Sequence, residues 1–263
     1  MSVISTDDWL YELKTSQKLN DSRDFEDLQR TILCSRLVEH FNGGTPHEIQ
    51  FELQQQGLFR AYEKIDIKKL QDQNTWEIVQ EEYFYLKKRW GGPDIPIYIF
   101  PLTQEQNITN KNGVAYPDAL FLFIGELERE ELKALFAHEY NHVCRLCYLN
   151  KSLREVTLLD SLILEGLAEC AVEEIYGSKW LAPWLRNYSL EKMVAIWKSD
   201  FLPNINVQGL NNHVEFLYGG KLPPWIGYCI GYEIVRTYIQ NHSAKELLKK
   251  GSKNILTGSA FPL

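Results

Sequence analysis

The sequence predicts an α+β fold that is mostly α-helical. Three observations predict it. Apolar residues recur at helical spacing over most of the chain, and the runs begin and end on recognisable caps. One short region near residues 95–124 is instead dense in β-branched and aromatic residues. Directly after it come two long helical patterns, 128–149 and 155–176, in which ionisable residues interrupt apolar faces at four-residue spacing.

Residues 1–92 read as an N-terminal helical region. Phe25, Leu28, Ile32, Leu37, Val38 and Phe41 recur at roughly helical spacing, and Asn42-Gly43-Gly44 ends the run. A new helix starts at Thr45-Pro46, where Thr45 caps, Pro46 suits the first turn and Glu48 completes a capping box. A third helix, 76–90, stops at Gly91-Gly92. Residues 95–100 then read as a strand, 110–113 as a turn, and 114–124 as a second strand. Pro117 pushes the first half of that strand to a sheet edge. Of the two long helices that follow, the second ends at Gly177, a plausible C′ residue. Two more helical blocks, near 189–200 and 225–249, flank a segment rich in Pro, Asn and Gly. Residues 93–263 form the second region of the chain.

The chain has 263 residues, enough for one large domain or two small ones, and 44% are hydrophobic. A net charge of −7 without a dense Lys/Arg block speaks against nucleic acid or an anionic membrane as partner. The N-terminus lacks a basic stretch followed by an apolar run, so it does not read as a signal peptide. The longest apolar run, 119–124, is far too short to span a bilayer. Five scattered cysteines fit reduced thiols in a cytoplasm.

The chemistry concentrates in LFAHEYNHVCRLC, residues 135–147. His138 and His142 are i and i+4, so a helix puts both imidazoles on one face, within reach of one metal ion. Glu139 is rotated by one residue. It can lie beside a metal-activated water and take its proton without being a ligand. Leu132, Leu135, Phe136, Ala137, Val143 and Leu146 surround the motif, so this helix is buried on most sides and its polar groups need partners. A zinc hydrolase uses three protein ligands and leaves one position open. The downstream stretch LLDSLILEGLAECAVEEIYG offers Glu165 and Glu169, again i and i+4, in an otherwise apolar stripe. Glu165 as ligand and Glu169 as hydrogen-bond acceptor for a histidine N–H satisfy both. Gly166 lets the two helices approach closely. Glu173 and Glu174, near the helix end, read as solvated.

His138-Glu-Tyr-Asn-His142 followed by Glu165-Gly-Leu-Ala-Glu169, with 22 residues between (143–164), resembles the gluzincin arrangement typified by thermolysin. That resemblance implies a gluzincin-like core with a small antiparallel sheet packed on the helix of the HExxH motif. It also implies Glu165 as third zinc ligand and Glu169 as support for the first histidine. With PPWIGYCIGYEIVRTYI downstream, the chain further resembles a YjaZ-like bacterial family of predicted zinc-dependent proteases, carried as a domain of unknown function. The resemblance runs from about residue 90 to the end. It implies the metal site and names no substrate. One departure is Asn141, where a third histidine is expected; that position need not ligate.

Peptide hydrolysis also needs a donor for the oxyanion. Tyr228 and Tyr232 share one helix face and are the chosen candidates, with His213, Tyr218 and Arg236 considered beside them. The competing reading is that both tyrosines are core residues with satisfied hydroxyls, and His213 reads as a surface histidine. Gly227 and Gly231, four apart, suit close packing of that helix. The Pro117 edge is a place for an extended peptide to add a strand, or a simple blunted edge. Cys144 and Cys147 supply too few ligands for a second site and read as small buried thiols.

The expectation is therefore a cytoplasmic zinc metallopeptidase acting on a peptide or protein, with Zn²⁺ as cofactor and the N-terminal helices walling or gating the cleft. Two other readings stand beside it: a non-catalytic zinc-binding regulatory or stress-related protein on the same scaffold, and hydrolysis of a non-peptide amide. A structural zinc has no need of Glu139 or an open position, which favours catalysis.

Overall fold

A computed structural model describes residues 2–19, 25–41, 43–105, 110–151, 154–242 and 246–262. The chain is mostly helical with one small sheet, and it divides into two compact units, Met1–Tyr140 and Asn141–Leu263. Among the described residues no helix is long and apolar enough to cross a membrane.

The first unit begins with helices α1 (Thr6–Leu19), α2 (Phe25–Ile32), α3 (Pro46–Gln55), α4 (Ile67–Asp72) and α5 (Thr75–Trp90). The cap expected at Thr45 is present: its hydroxyl accepts from the Glu48 N–H, and the Glu48 carboxylate accepts from the Thr45 N–H at 2.8 Å. Gly91 ends α5 in the left-handed region at φ +66°. The apolar run 25–41 does not form one helix. It is α helix to Ile32 and a tighter 3₁₀ stretch over Cys34–His40. Asn42, part of the expected stop, lies outside the described residues.

Three strands follow: β1 (Ile97–Pro101), β2 (Lys111–Ala115) and β3 (Leu120–Ile124). Their order is β1-β3-β2, with β1 parallel and β2 antiparallel to β3. The sheet is therefore mixed, not antiparallel as expected. The stretch read as one strand, 114–124, is a hairpin whose Pro117 sits in the turn, closed by the Tyr116 N–H bonding to the Ala119 carbonyl. Residues 111–113, expected as a turn, are strand. Proline ends β2 because it cannot donate to a ladder. All five residues of β1 and of β3 are buried, whereas β2 stays partly exposed at the sheet edge. The outer side of β1 is bonded by residues 2–4 and by Phe59. Tyr98 stacks on Phe121 with ring centroids 5.0 Å apart.

Helix α6 (Arg129–Leu149) runs from the first unit into the second. The second unit continues with α7 (Leu158–Tyr176), α8 (Leu190–Ile196), α9 (Val214–Tyr218), α10 (Ile226–Asn241) and α11 (Ser252–Gly258). The pattern read as one helix over 225–249 ends at Asn241; residues 243–245 lie outside the described residues, and Leu247–Lys249 is a 3₁₀ turn. Thr157 caps α7 and forms a capping box with Asp160. Helices α7 and α10 meet backbone to backbone at glycines. A Cβ added to Gly166 would lie 2.1 Å from the Gly231 carbonyl oxygen, and one added to Gly231 would lie 2.1 Å from the Leu162 oxygen. This contact seals a core that includes Leu162, Ile163, Trp197, Phe201, Ile230 and Ile234.

Candidate metal centre

The amphipathic logic of α6 holds. Leu132, Leu135, Phe136, Ala137, Val143 and Leu146 are all buried, and so are Glu139 at 8% and His142 at 7% exposure. His138 is partly exposed. On α7, Glu165 and Glu169 are buried among Leu162, Ala168 and Val172. Carboxylates in such a stripe need compensation. The Glu169 carboxylate receives the backbone N–H of Ala182 at 3.1 Å. Glu165 meets a histidine: its Oε2 lies 3.3 Å from the Nε2 of His142.

His138, one turn before His142 on the same helix, completes the group. One ligand atom from each of His138, His142 and Glu165 lies within 4.8 Å of the other two. The donor set is two imidazoles and one carboxylate, the combination that zinc hydrolases use with one position left open. Tetrahedral ligands at ~2.0–2.1 Å from an ion stand about 3.3 Å from one another. The His142–Glu165 pair already has that spacing, so these residues fit a zinc ion. Asn141 is buried and supplies no atom to the group.

Glu139 is positioned by the sheet of its own unit. A Cβ on Gly113, in β2, would lie 2.3 Å from the Glu139 Cγ and 2.8 Å from its Oε1. The carboxylate therefore rests on bare backbone of an edge strand, and only glycine leaves it that space. Lys111 in the same strand pairs with Glu131 of α6 at 3.1 Å. Sequence reasoning missed Gly113, because Asn-Lys-Asn-Gly reads locally as a turn; only the strand pairing reveals what the missing side chain makes room for.

Tyr228 and Tyr232 are both buried on α10. The Tyr232 hydroxyl donates to Glu173 at 2.6 Å, so Glu173 is not simply solvated. Burial, and then the bond to Glu173, push the Tyr232 phenol well above its usual range. It stays protonated, as a hydrogen-bond donor must. Tyr228 stands in a cluster of rings with Trp184, Trp225 and Tyr218, whose Trp184–Trp225 pair stacks at 4.1 Å. Arg236 is engaged by Glu233 through both Nε and Nη2. Tyr218 is 46% exposed.

Two expectations need correction. His213 is fully buried, not a surface residue. Its Nε2 donates to the Val207 carbonyl at 2.9 Å, which leaves Nδ1 to accept from the Ser161 hydroxyl at 2.8 Å. Burial pushes its pKa down. The flanking loop looks polar in sequence, but Thr157 bridges to Gln208 and draws it onto the start of α7. Cys144 is buried as expected, whereas Cys147 is exposed, because a three-residue step carries it beyond the buried face.

Residues 75–257 match the DUF2268 family, described as "Predicted Zn-dependent protease". The match starts at the first residue of α5 and takes in the sheet and all the residues of the metal centre. The chain is 36% identical over 197 residues to a Bacillus subtilis (strain 168) protein named "Uncharacterized protein YjaZ", covering 71% of this chain and 76% of that one. A second protein of that organism, "Uncharacterized protein YjfC", is 24% identical over 140 residues, 48% of this chain and 46% of that one. No solved structure matches the chain.

Proposed function

This chain belongs to the DUF2268 family of predicted Zn-dependent proteases, and from that premise we propose that it is a zinc-dependent metallopeptidase with a gluzincin-like site that hydrolyses peptide bonds. The observation that carries the reading is the convergence of His138, His142 and Glu165 on one point. In this reading those three residues hold the zinc. When bound, zinc supplies Lewis acidity toward a water and toward the scissile carbonyl.

The remaining steps belong to this chain's own side chains. Glu139 takes the proton of the attacking water and later delivers it to the leaving amine. Its seat against Gly113 restricts where the carboxylate points. Glu169 holds the ligand group in place from behind Glu165. A phenol of α10, Tyr228 or Tyr232, donates to the oxygen that gains charge. Tyr232 donates to Glu173 in the structure, and a role at the reacting oxygen would require it to exchange that partner. The partly exposed edge of β2 runs past Glu139 and offers main-chain groups to an extended peptide. Five cysteines without a disulfide support a reducing compartment, and we assign the protein to the cytoplasm.

The test is metal content and cleavage of casein and a peptide library by the natural chain, Glu139→Gln and Glu165→Ala in parallel. The natural chain is expected to hold one zinc and to cleave. Glu139→Gln should keep zinc and lose cleavage, and Glu165→Ala should lose zinc. Equal zinc in all three would remove Glu165 from the ligand set. Zinc without cleavage in a broad library would favour a binding protein on this scaffold.

A further inference from the structure

Arg145 follows His142 on α6 by three residues, about 4.5 Å along the helix. It is completely buried. A guanidinium in that position is costly unless its donors are satisfied and its charge balanced. Within the second unit both terminal nitrogens find acceptors and the charge is balanced by Asp160, while Nε has no hydrogen-bond partner among the described residues. Nη1 donates to the carbonyls of Leu248 at 2.7 Å and Lys250 at 2.6 Å, and Nη2 donates to the Ser252 hydroxyl at 3.0 Å. Ser252 in turn donates to Asp160 Oδ1 at 2.6 Å. The other oxygen of Asp160 receives Lys151, the Thr157 N–H and the Thr157 hydroxyl. Burial pulls the Arg145 pKa down to about 10, still well above neutrality. Burial also pushes the Asp160 carboxyl up, but its hydrogen bonds outweigh this and hold it below its usual value. Both groups are charged at neutral pH.

Asp160 lies in the first turn of α7, five residues before Glu165. The chain Arg145–Ser252–Asp160 therefore ties α6 to α7 close to the place where His142 and Glu165 meet. The segment 247–252 serves as the spacer, held by its own carbonyls. If stability alone were at stake, apolar residues of similar volume would serve as well or better. A charged relay adds direction and length. Metal ligands tolerate errors of only about 0.2 Å, so a strut of fixed length this near matters to the donor pair.

We propose that Arg145, acting through Ser252 and Asp160, is a positioning residue that sets the separation of His142 and Glu165 and thereby the affinity for zinc. This rests on the metallopeptidase reading of the site. Neither Arg145 nor Ser252 touches the ion, and the C-terminal segment becomes part of the metal centre's support.

The test compares the natural chain with Ser252→Ala, Ser252→Thr and Arg145→Lys at full length. Zinc affinity is read by competition with a chromogenic chelator, and the thermal midpoint of each metal-free protein is read separately. Ser252→Ala removes the link and is expected to weaken zinc binding ~10-fold or more, while the metal-free midpoint falls by only a few degrees. Ser252→Thr keeps the hydroxyl and restores affinity. Arg145→Lys keeps the charge, loses the fork, and weakens binding like Ser252→Ala. Zinc affinity within twofold of the natural chain in both Ser252→Ala and Arg145→Lys, alongside lowered midpoints, overturns the proposal and leaves a stabilising network. A natural chain that binds no zinc, or a Glu165→Ala chain that binds it unchanged, overturns the metal reading and this inference with it.

Discussion

Gly166→Ala probes the contact on which the second unit is built. The added Cβ would lie 2.1 Å from the Gly231 carbonyl oxygen, 2.5 Å from its carbon and 2.8 Å from Val235 Cγ2. Non-bonded heavy atoms are comfortable at about 3.5 Å or more, so the overlap exceeds 1 Å at the closest atom. Two of the three atoms are backbone, and no rotamer change can relieve them. Helices α7 and α10 must move apart. Overpacking of this kind costs ~1–3 kcal/mol, occasionally more, and alanine returns ~1 kcal/mol of helix propensity. With backbone on both sides the upper end applies, leaving a net loss of about 2 kcal/mol. At roughly 2–4 °C per kcal/mol for a chain of this size, the thermal midpoint should fall by about 4–8 °C. Circular dichroism melts of the metal-free protein measure it. Gly231→Ala should act in the same direction, and the pair should be less than additive, since one separation relieves both. If Gly166→Ala melts at or above the natural chain, propensity has won and the helices are not in backbone contact.

Three further outcomes are expected. Gly113→Ala should push the Glu139 carboxylate aside by about 1 Å and lower kcat/KM ~100-fold with zinc content unchanged; cleavage at the natural rate would separate Glu139 from its seat on β2. Of the five cysteines only Cys147 is exposed, and burial drives the thiols of Cys34 and Cys229 up to about 12, so a thiol reagent should label one site in the folded protein and five after denaturation; fast labelling of a second thiol in the folded chain would contradict the packing. His213 has a lowered folded pKa, so below about pH 6.5 the unfolded chain binds the extra proton. Its contribution is complete above that pH and is lost as pH falls toward the folded pKa. His213→Gln should therefore flatten the acid side of the stability–pH curve, and urea midpoints at pH 7.5 and 5 with an unchanged difference would assign that slope to other groups.

Local rules carried much of this protein. A capping box needs only four consecutive residues, so Thr45 and Glu48 announce α3 in the sequence, and Gly91 and Gly177 mark the ends of α5 and α7 in the same way. Spacings of four on a regular helix put His138 beside His142, and Glu165 beside Glu169, before any fold is known. The polar residues inside apolar stripes already pointed to one shared centre. What tertiary structure decided is everything that depends on pairing across distance. The hairpin at Pro117 and the parallel partner of β3 follow from which strand finds which neighbour, and a one-strand reading of 114–124 is locally just as good. The burial of His213 depends on a bridge between Thr157 and Gln208, 51 positions apart. Gly113 reads as a turn residue until β2 is laid beside Glu139, and nothing local names the partners of Arg145, the carbonyls of 248 and 250. A helix face is a property of a dozen neighbouring residues, whereas the room for a carboxylate and the partners of a buried guanidinium come from segments that meet only when the chain has folded.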